Sequence, residues 1–302
     1  MLGKNILGIG VINLERVDIA IIGTGPAGIS AAINAKIRHK SFLLFGTEEL
    51  SPNIGKSEKI GNYPGMLSVT GRELNESFKE HLEEMEISIT KERITGIYKM
   101  GDYFMLLAGQ KGFEATTVII ATGAEMRKPL PGERELLGRG VSYCATCDGN
   151  LYKGKKIAVV CDNEEMEEEV SYLADLAETV YYFPLIKTTL EGENIIKMSA
   201  KIKNVQGENR VENLQLSDGS VLDIDGIFFL KATVSADILL NGLKIEEGHI
   251  AVDRNMRTSV KGCFAAGDCV GRPYQIAKSI GEGNIAAHSA ISYLAELKKA
   301  AK

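Results

Sequence analysis

The sequence predicts an α/β fold made of two related units. Three observations carry this. Strand-like and helix-like stretches alternate along the chain, a βαβ opening occurs twice, near residues 17 and 156, and glycine is in excess, 32 of 302 residues. Such an excess fits a fold with tight turns and close backbone approaches. Val17–Ile22 is an apolar run, broken only by Asp18, suited to a buried parallel strand, and Pro26–Ala35 follows with helix-compatible residues. Ser41–Phe45 reads as the next strand. A Gly/Pro/Asn-punctuated loop then runs through Gly65, and a helix is predicted from about Arg72 to Met85. Short strands follow at Ile94–Met100 and Tyr103–Leu107, and Thr117–Ala121 is strongly β-prone and ends at Thr122-Gly123. The second unit opens at Lys156 with strand Ile157–Val160, a helix to about Ala177 and strand Thr179–Phe183. Val211–Leu216 and Val221–Ile224 flank a Ser-Asp-Gly-Ser turn. The last stretch passes through His249–Val252 and Cys263–Gly267 to a helix over Gly281–Leu297.

Composition excludes several classes. The net charge of −5 with no long basic run argues against nucleic acid as a partner. No apolar run approaches the ~18 residues that span a bilayer. The short run Ile6–Ile12 has no small-residue cleavage site after it and reads as an N-terminal extension. Five sparse cysteines, an odd number, are unlike a secreted disulfide framework and point to the cytoplasm.

Gly23-Thr24-Gly25-Pro26-Ala27-Gly28 is G-x-G-x-x-G between a strand and a helix, the signature of a Rossmann-like dinucleotide site. The first glycine allows the turn, the second lets backbone approach a pyrophosphate, and the third packs helix on strand. The helix N-terminus then offers N–H groups and a positive dipole end to phosphate. The acidic residue that often binds ribose after the second strand is replaced by Phe45-Gly46, with Glu48 and Glu49 just beyond. Thr122-Gly123 and Ala265-Ala266-Gly267-Asp268 end two further strands, and an aspartate in the latter position can bind a ribityl or phosphate group.

Cys144-Ala145-Thr146-Cys147-Asp148 adds redox chemistry, because C-x-x-C spacing lets two sulfurs close a small redox-active disulfide. A zinc half-site is the alternative, but its second half would be Cys263-x5-Cys269, which lacks the usual spacing, so no metal site is assigned. Cys161, Cys263 and Cys269 read as small buried hydrophobes.

Together these segments resemble the low-molecular-weight thioredoxin reductases from Val17 to Leu297. The resemblance implies two Rossmann-like, three-layer ββα domains, the second inserted into the first: an FAD-binding domain of residues 1–117 and 244–302, and an inserted redox-disulfide domain of 118–243. It implies FAD held by Gly23, Gly25, Pro26, Ala27 and Gly28, by Phe45-Gly46, by Asn62, by Thr122-Gly123, by Gly267-Asp268 and by Gln275-Ile276. Tyr274 stands where the family has arginine, and Gly46–Ile60 departs from its Gly-Gly-Gln loop. By the same resemblance Cys147 lies nearest the flavin, Cys144 attacks the disulfide of thioredoxin, and Asp148 shuttles a proton. The inserted domain swings on connections near Val118–Gly123 and Asp237–Leu243, and the protein is a homodimer.

Three nicotinamide features of that family are missing. The second glycine motif is replaced by Cys161-Asp162-Asn163-Glu164-Glu165-Met166-Glu167-Glu168-Glu169, with no glycine and six acids in nine residues. Each acid about 6 Å from a phosphate costs on the order of 3 kcal/mol at an effective dielectric near 20. The His-Arg-Arg that pairs with a 2′-phosphate falls at Pro184-Leu185-Ile186, and a glycine-rich turn falls at Lys231-Ala232. The chain is therefore expected not to use NADPH and is most similar to the ferredoxin-dependent flavin thioredoxin reductases. Reduced ferredoxin, generally acidic, would dock on Lys56 and Lys59 or on Lys153, Lys155 and Lys156. An oxygen-dependent flavin dithiol oxidase is the competing reading.

Overall fold

The computed structural model describes residues 15–124, 129–230 and 236–300; Ile6–Ile12 and Lys231-Ala232 lie outside the described residues. These residues form two compact units, 15–124 with 236–300, and 129–230 between them in sequence.

The first unit opens with β1 (Val17–Ile22), whose Ile19, Ala20 and Ile21 are fully buried. The turn leads into α1 (Pro26–Ile37), where Pro26 takes a first-turn position that needs no N–H. After β2 (Phe42–Phe45) and the short α2 (Pro52–Gly55) comes α3 (Gly71–Glu84). A capping box starts α3: the Glu73 N–H donates to the Thr70 hydroxyl at 3.2 Å, and the Thr70 N–H donates to the Glu73 carboxylate at 2.8 Å. Then follow β3 (Ile89–Thr90), the hairpin of β4 (Gly96–Met100) and β5 (Tyr103–Ala108), and β6 (Lys111–Ile120).

The second unit holds β7 (Val141–Ser142), α4 (Ala145–Asp148), β8 (Lys156–Cys161), α5 (Glu167–Leu176), β9 (Thr179–Pro184) and β10 (Ile195–Lys197). It continues with β11 (Ile202–Gln206), β12 (Asn213–Leu216), β13 (Val221–Asp223) and β14 (Gly226–Leu230). Its main sheet is wholly parallel, in the order β10-β9-β8-β14-β7, while β11-β12-β13 form a separate antiparallel sheet. Val170 and Leu173 of α5 are fully buried in the same core cluster as Ile157 and Val159 of β8.

The chain returns to the first unit through α6 (Ala236–Leu239), β15 (Ile245–Glu246), β16 (His249–Ile250), β17 (Cys263–Ala265) and α7 (Ile276–Ala300). The first sheet runs β3-β2-β1-β6-β5-β4, and β17 pairs with the last residues of β6 beyond the end of β5. α7 is longer than the predicted Gly281–Leu297. Its small residues lie against α1, and a Cβ on Gly283 would stand 2.1 Å from the Ala27 carbonyl oxygen. Small side chains thus let the two helices touch through backbone.

Two features bear on the expected connections between the units. The boundary at 117/118 falls inside β6, and 244 falls inside the returning segment that already belongs to the first unit. Val118–Ile120 are bonded to β1 on one edge and β17 on the other. Among the described residues no helix is long and apolar enough to cross a membrane.

Candidate active site

The three motif glycines do different work. A Cβ on Gly23, at φ +116°, would stand 2.2 Å from the Ala121 carbonyl oxygen, and one on Gly28 would stand 1.8 Å from the Gly23 carbonyl oxygen. Those two glycines are demanded by the protein's own packing. Gly25 differs: its φ −75° and ψ 179° suit any residue, and a Cβ there would meet nothing within 4 Å. Among the described residues nothing needs a glycine at Gly25, so the open space in front of it is room for a ligand. α1 begins there with no capping side chain and no acid in its first turn, which leaves an anion-ready N-terminus.

Buried Thr24 ties this turn to the loop after β2. Its hydroxyl donates to the Thr47 carbonyl at 3.1 Å and accepts the Thr47 N–H at 3.2 Å. Phe45 is a support, since its ring packs on Phe113 and its carbonyl accepts the Gly23 N–H at 2.8 Å. Gly46 gives its N–H to the Thr90 carbonyl. Glu48 is ion-paired with Lys91 at 2.7 Å. Ala27 is buried under Gly267, and Ile276 packs on the Ile54, Ile60 and Leu74 cluster, so both serve as scaffold. Thr122 and Gly123 follow β6, and a Cβ on Gly123 would also meet open space.

Two distant expected residues are brought together: the Asn62 amide donates to the Gln275 side-chain oxygen at 2.6 Å, and both residues are exposed. The Gly267–Gly271 turn is clamped from α7. Glu282 accepts the Gly267 N–H at 2.9 Å, while Lys278 donates to the Gly267 and Gly271 carbonyls at 3.0 and 2.6 Å. Burial pushes the Asp268 carboxyl up, against the Ser279 hydroxyl that donates to it at 3.2 Å. A half-buried carboxylate held at the end of β17 is poised to accept from a ligand hydroxyl. An open glycine, an uncapped helix N-terminus and this acceptor together fit the dinucleotide part of a flavin cofactor.

In the second unit Cys144 and Cys147 form a disulfide. Cys144 precedes α4, and its sulfur accepts the Cys147 N–H at 3.2 Å. Cys144 is buried, 8% exposed, whereas Cys147 is exposed. A sulfur that attacks a bulky protein disulfide must be reachable, and Cys147 is the more exposed of the two. Asp148 is held by Ser142, whose hydroxyl donates to it at 2.6 Å. Sequence reasoning passed over Ser142, Thr24, Lys278 and Glu282; only Thr24 lies inside a motif, and the other three carry no signal until their partners are known.

The turn after β8 holds acids and no glycine. Glu167, Glu168 and Glu169 occupy the first turn of α5. The Glu167 carboxylate accepts from the Tyr182 hydroxyl at 2.8 Å and from Thr188, which binds α5 to β9 and the loop beyond. Burial, aided by that carboxylate, pushes the Tyr182 phenol up, so it stays a donor. Leu185 is exposed where a cation was sought. Burial pushes Cys161 up too, and Cys263 and Cys269 up to about 12, which leaves all three inert thiols. Among the described residues no group of three or more His, Cys, Asp or Glu could hold a metal ion.

Residues 17–161 and 185–283 match the pyridine nucleotide-disulphide oxidoreductase family; the intervening stretch, outside the match, carries the acidic turn, α5 and β9. The thioredoxin reductase of Bacillus subtilis is 34% identical over 307 aligned positions, which cover 94% of this chain and 97% of that one. Two solved ferredoxin-flavin thioredoxin reductases of Clostridium acetobutylicum superpose with TM-scores of 0.87 and 0.85 at 51% and 44% identity. They cover 94% and 95% of this chain, and 99% and 100% of their own.

Proposed function

Since the chain belongs to the pyridine nucleotide-disulphide oxidoreductase family and is a flavin-type thioredoxin reductase, we propose that its electrons come from reduced ferredoxin through FAD and not from NADPH. The observation that carries this reading is the start of α5. A nicotinamide dinucleotide would need its pyrophosphate at that N-terminus, where three glutamates stand and one is already bonded to Tyr182 and Thr188. The 51% identity to a ferredoxin-flavin thioredoxin reductase supports the same conclusion.

Gly25 and Asp268 would hold FAD, which when bound would supply the conversion of single electrons from an iron–sulfur donor into a two-electron reduction. The chain's own residues do the rest. Once the disulfide is reduced, the exposed Cys147 attacks the thioredoxin disulfide. Buried Cys144 then closes the ring with Cys147 and releases reduced thioredoxin. Each exchange needs a thiolate attacker and a protonated leaving sulfur. Asp148, adjacent to Cys147, takes the proton from the attacking thiol and returns it to the sulfur that leaves. The working form is a homodimer in the cytoplasm.

Anaerobic mixing with reduced ferredoxin, followed by a thiol assay on thioredoxin, tests this. Ferredoxin-dependent thioredoxin thiols are expected. Electron flow from dithiols to oxygen, with none from ferredoxin, would instead identify a dithiol oxidase.

A further inference from the structure

Ser142 is the last residue of β7, paired to Phe228 of β14 and only 3% exposed. Three polar groups surround its hydroxyl. Asp148 Oδ2 lies at 2.6 Å, the Cys144 N–H donates to it at 3.1 Å, and the Cys144 carbonyl oxygen lies at 3.3 Å. A hydroxyl has one proton and two lone pairs. It cannot donate to the carboxylate and to the carbonyl at once, and the charged, nearer acceptor wins.

We propose that Ser142 is a positioning residue that serves both protonation states of Asp148, a two-state hydrogen-bond relay beneath the redox disulfide. It rests on the reading of Asp148 as the proton carrier. With Asp148 ionised, Ser142 donates to the carboxylate and accepts the Cys144 N–H. When Asp148 takes the proton from the attacking thiol, its O–H donates to the Ser142 oxygen. The Ser142 proton then turns to the Cys144 carbonyl, while the Cys144 N–H bond persists. Every donor and acceptor is satisfied in both states with the heavy atoms in place. No covalent bond of Ser142 forms or breaks, and the carried proton goes on to the leaving thioredoxin sulfur. An alanine cannot do this, because in either state it leaves the half-buried Asp148 carboxyl group and the buried Cys144 N–H without this partner.

The test is a double-mutant cycle on flavin-loaded protein, reduced with dithiothreitol, desalted anaerobically and mixed with oxidised thioredoxin. Single-turnover exchange needs no ferredoxin. Ser142→Ala is expected to slow exchange about tenfold when Asp148 is present and less than about twofold in the Asp148→Asn background. Ser142→Thr, which keeps the hydroxyl, should restore most of the rate. Equal slowing in both backgrounds, or no rescue by threonine, overturns the relay. If Asp148→Asn alone leaves exchange unchanged, the proton-carrier reading fails instead. Melting curves identify any variant that is merely unfolded, and the Ser142→Thr arm then decides.

Discussion

Gly25→Val, set beside Gly28→Val, separates a glycine kept for a ligand from one kept for the fold. At Gly25 the backbone is extended and a Cβ meets nothing within 4 Å. The cost to the ligand-free protein is the poorer N-cap, up to about 1 kcal/mol. That corresponds to roughly 2–4 °C of melting temperature in a protein of this size class. At Gly28 the new Cβ would overlap a backbone carbonyl at 1.8 Å, which cannot rotate away as a side chain could. Overpacking of that kind reaches about 3 kcal/mol, or roughly 6–12 °C. Flavin affinity should behave in the opposite way. A branched side chain at Gly25 fills the open approach and removes about one charge-assisted bond, on the order of 1.5–3 kcal/mol, or a 10- to 150-fold rise in Kd. Differential scanning fluorimetry of apoprotein and fluorescence titration with FAD read the two effects separately. The reasoning is refuted if Gly25→Val binds FAD as tightly as the parent, or melts as low as Gly28→Val. Gly23→Val belongs with Gly28: it should lose flavin by displacing β6, at 2.2 Å, and not by blocking a phosphate.

Three further outcomes are expected. NADPH and NADH at millimolar concentration should leave the flavin oxidised under anaerobic conditions, and rapid bleaching by either would overturn the argument from α5. Cys144→Ser should trap thioredoxin as a stable mixed disulfide through Cys147, visible on a non-reducing gel, whereas Cys147→Ser should trap little; the reverse pattern would return the attacking role to Cys144. The ferredoxin-dependent rate should fall with added salt while flavin content holds, because Lys56 and Lys59 are exposed and free of acidic partners among the described residues. A rate that is flat from low to high ionic strength would remove charge-guided docking.

Legibility from sequence followed the range of the interaction. β1 could be placed to the residue, because five apolar residues in a run of six, broken only by Asp18, have no other economical burial. The glycine turn and the C-x-x-C pair were equally readable, since each function sits within six consecutive residues. What could not be read depends on contacts across the chain. The start of α7 at Ile276 is fixed by packing against Ile54 and Ile60, more than two hundred residues earlier. β10 and β11 are short and half-exposed, with no alternation long enough to register as strands. Cys144 and Cys147 are alike in sequence, and only the fold distinguishes a buried sulfur from an exposed one. Ser142 and Thr24 are ordinary small polar residues until their partners are known.

The two helix N-termini show how the proposed loss of one nucleotide site would leave the fold unharmed. α1 has neither a cap nor an acid in its first turn, so its N–H groups and dipole are left for a ligand at some cost to the empty protein. α5 carries Glu167, Glu168 and Glu169 in the same place. Acids there stabilise a helix by about 0.3–1 kcal/mol each at an exposed end, and Glu167 gains two hydroxyl donors besides. The substitutions that repel a pyrophosphate therefore tighten the apoprotein. Reversal is correspondingly steep. Glu167→Gln alone would loosen the tie to Tyr182 and Thr188, yet leave two glutamates in the first turn, no glycine after β8 and Leu185 in place of a cation. It should lower the melting temperature without producing any NADPH-dependent bleaching of the flavin. A gain of NADPH activity from that single change would mean the acids were the whole barrier, and that the fold had kept a working nucleotide cradle beneath them.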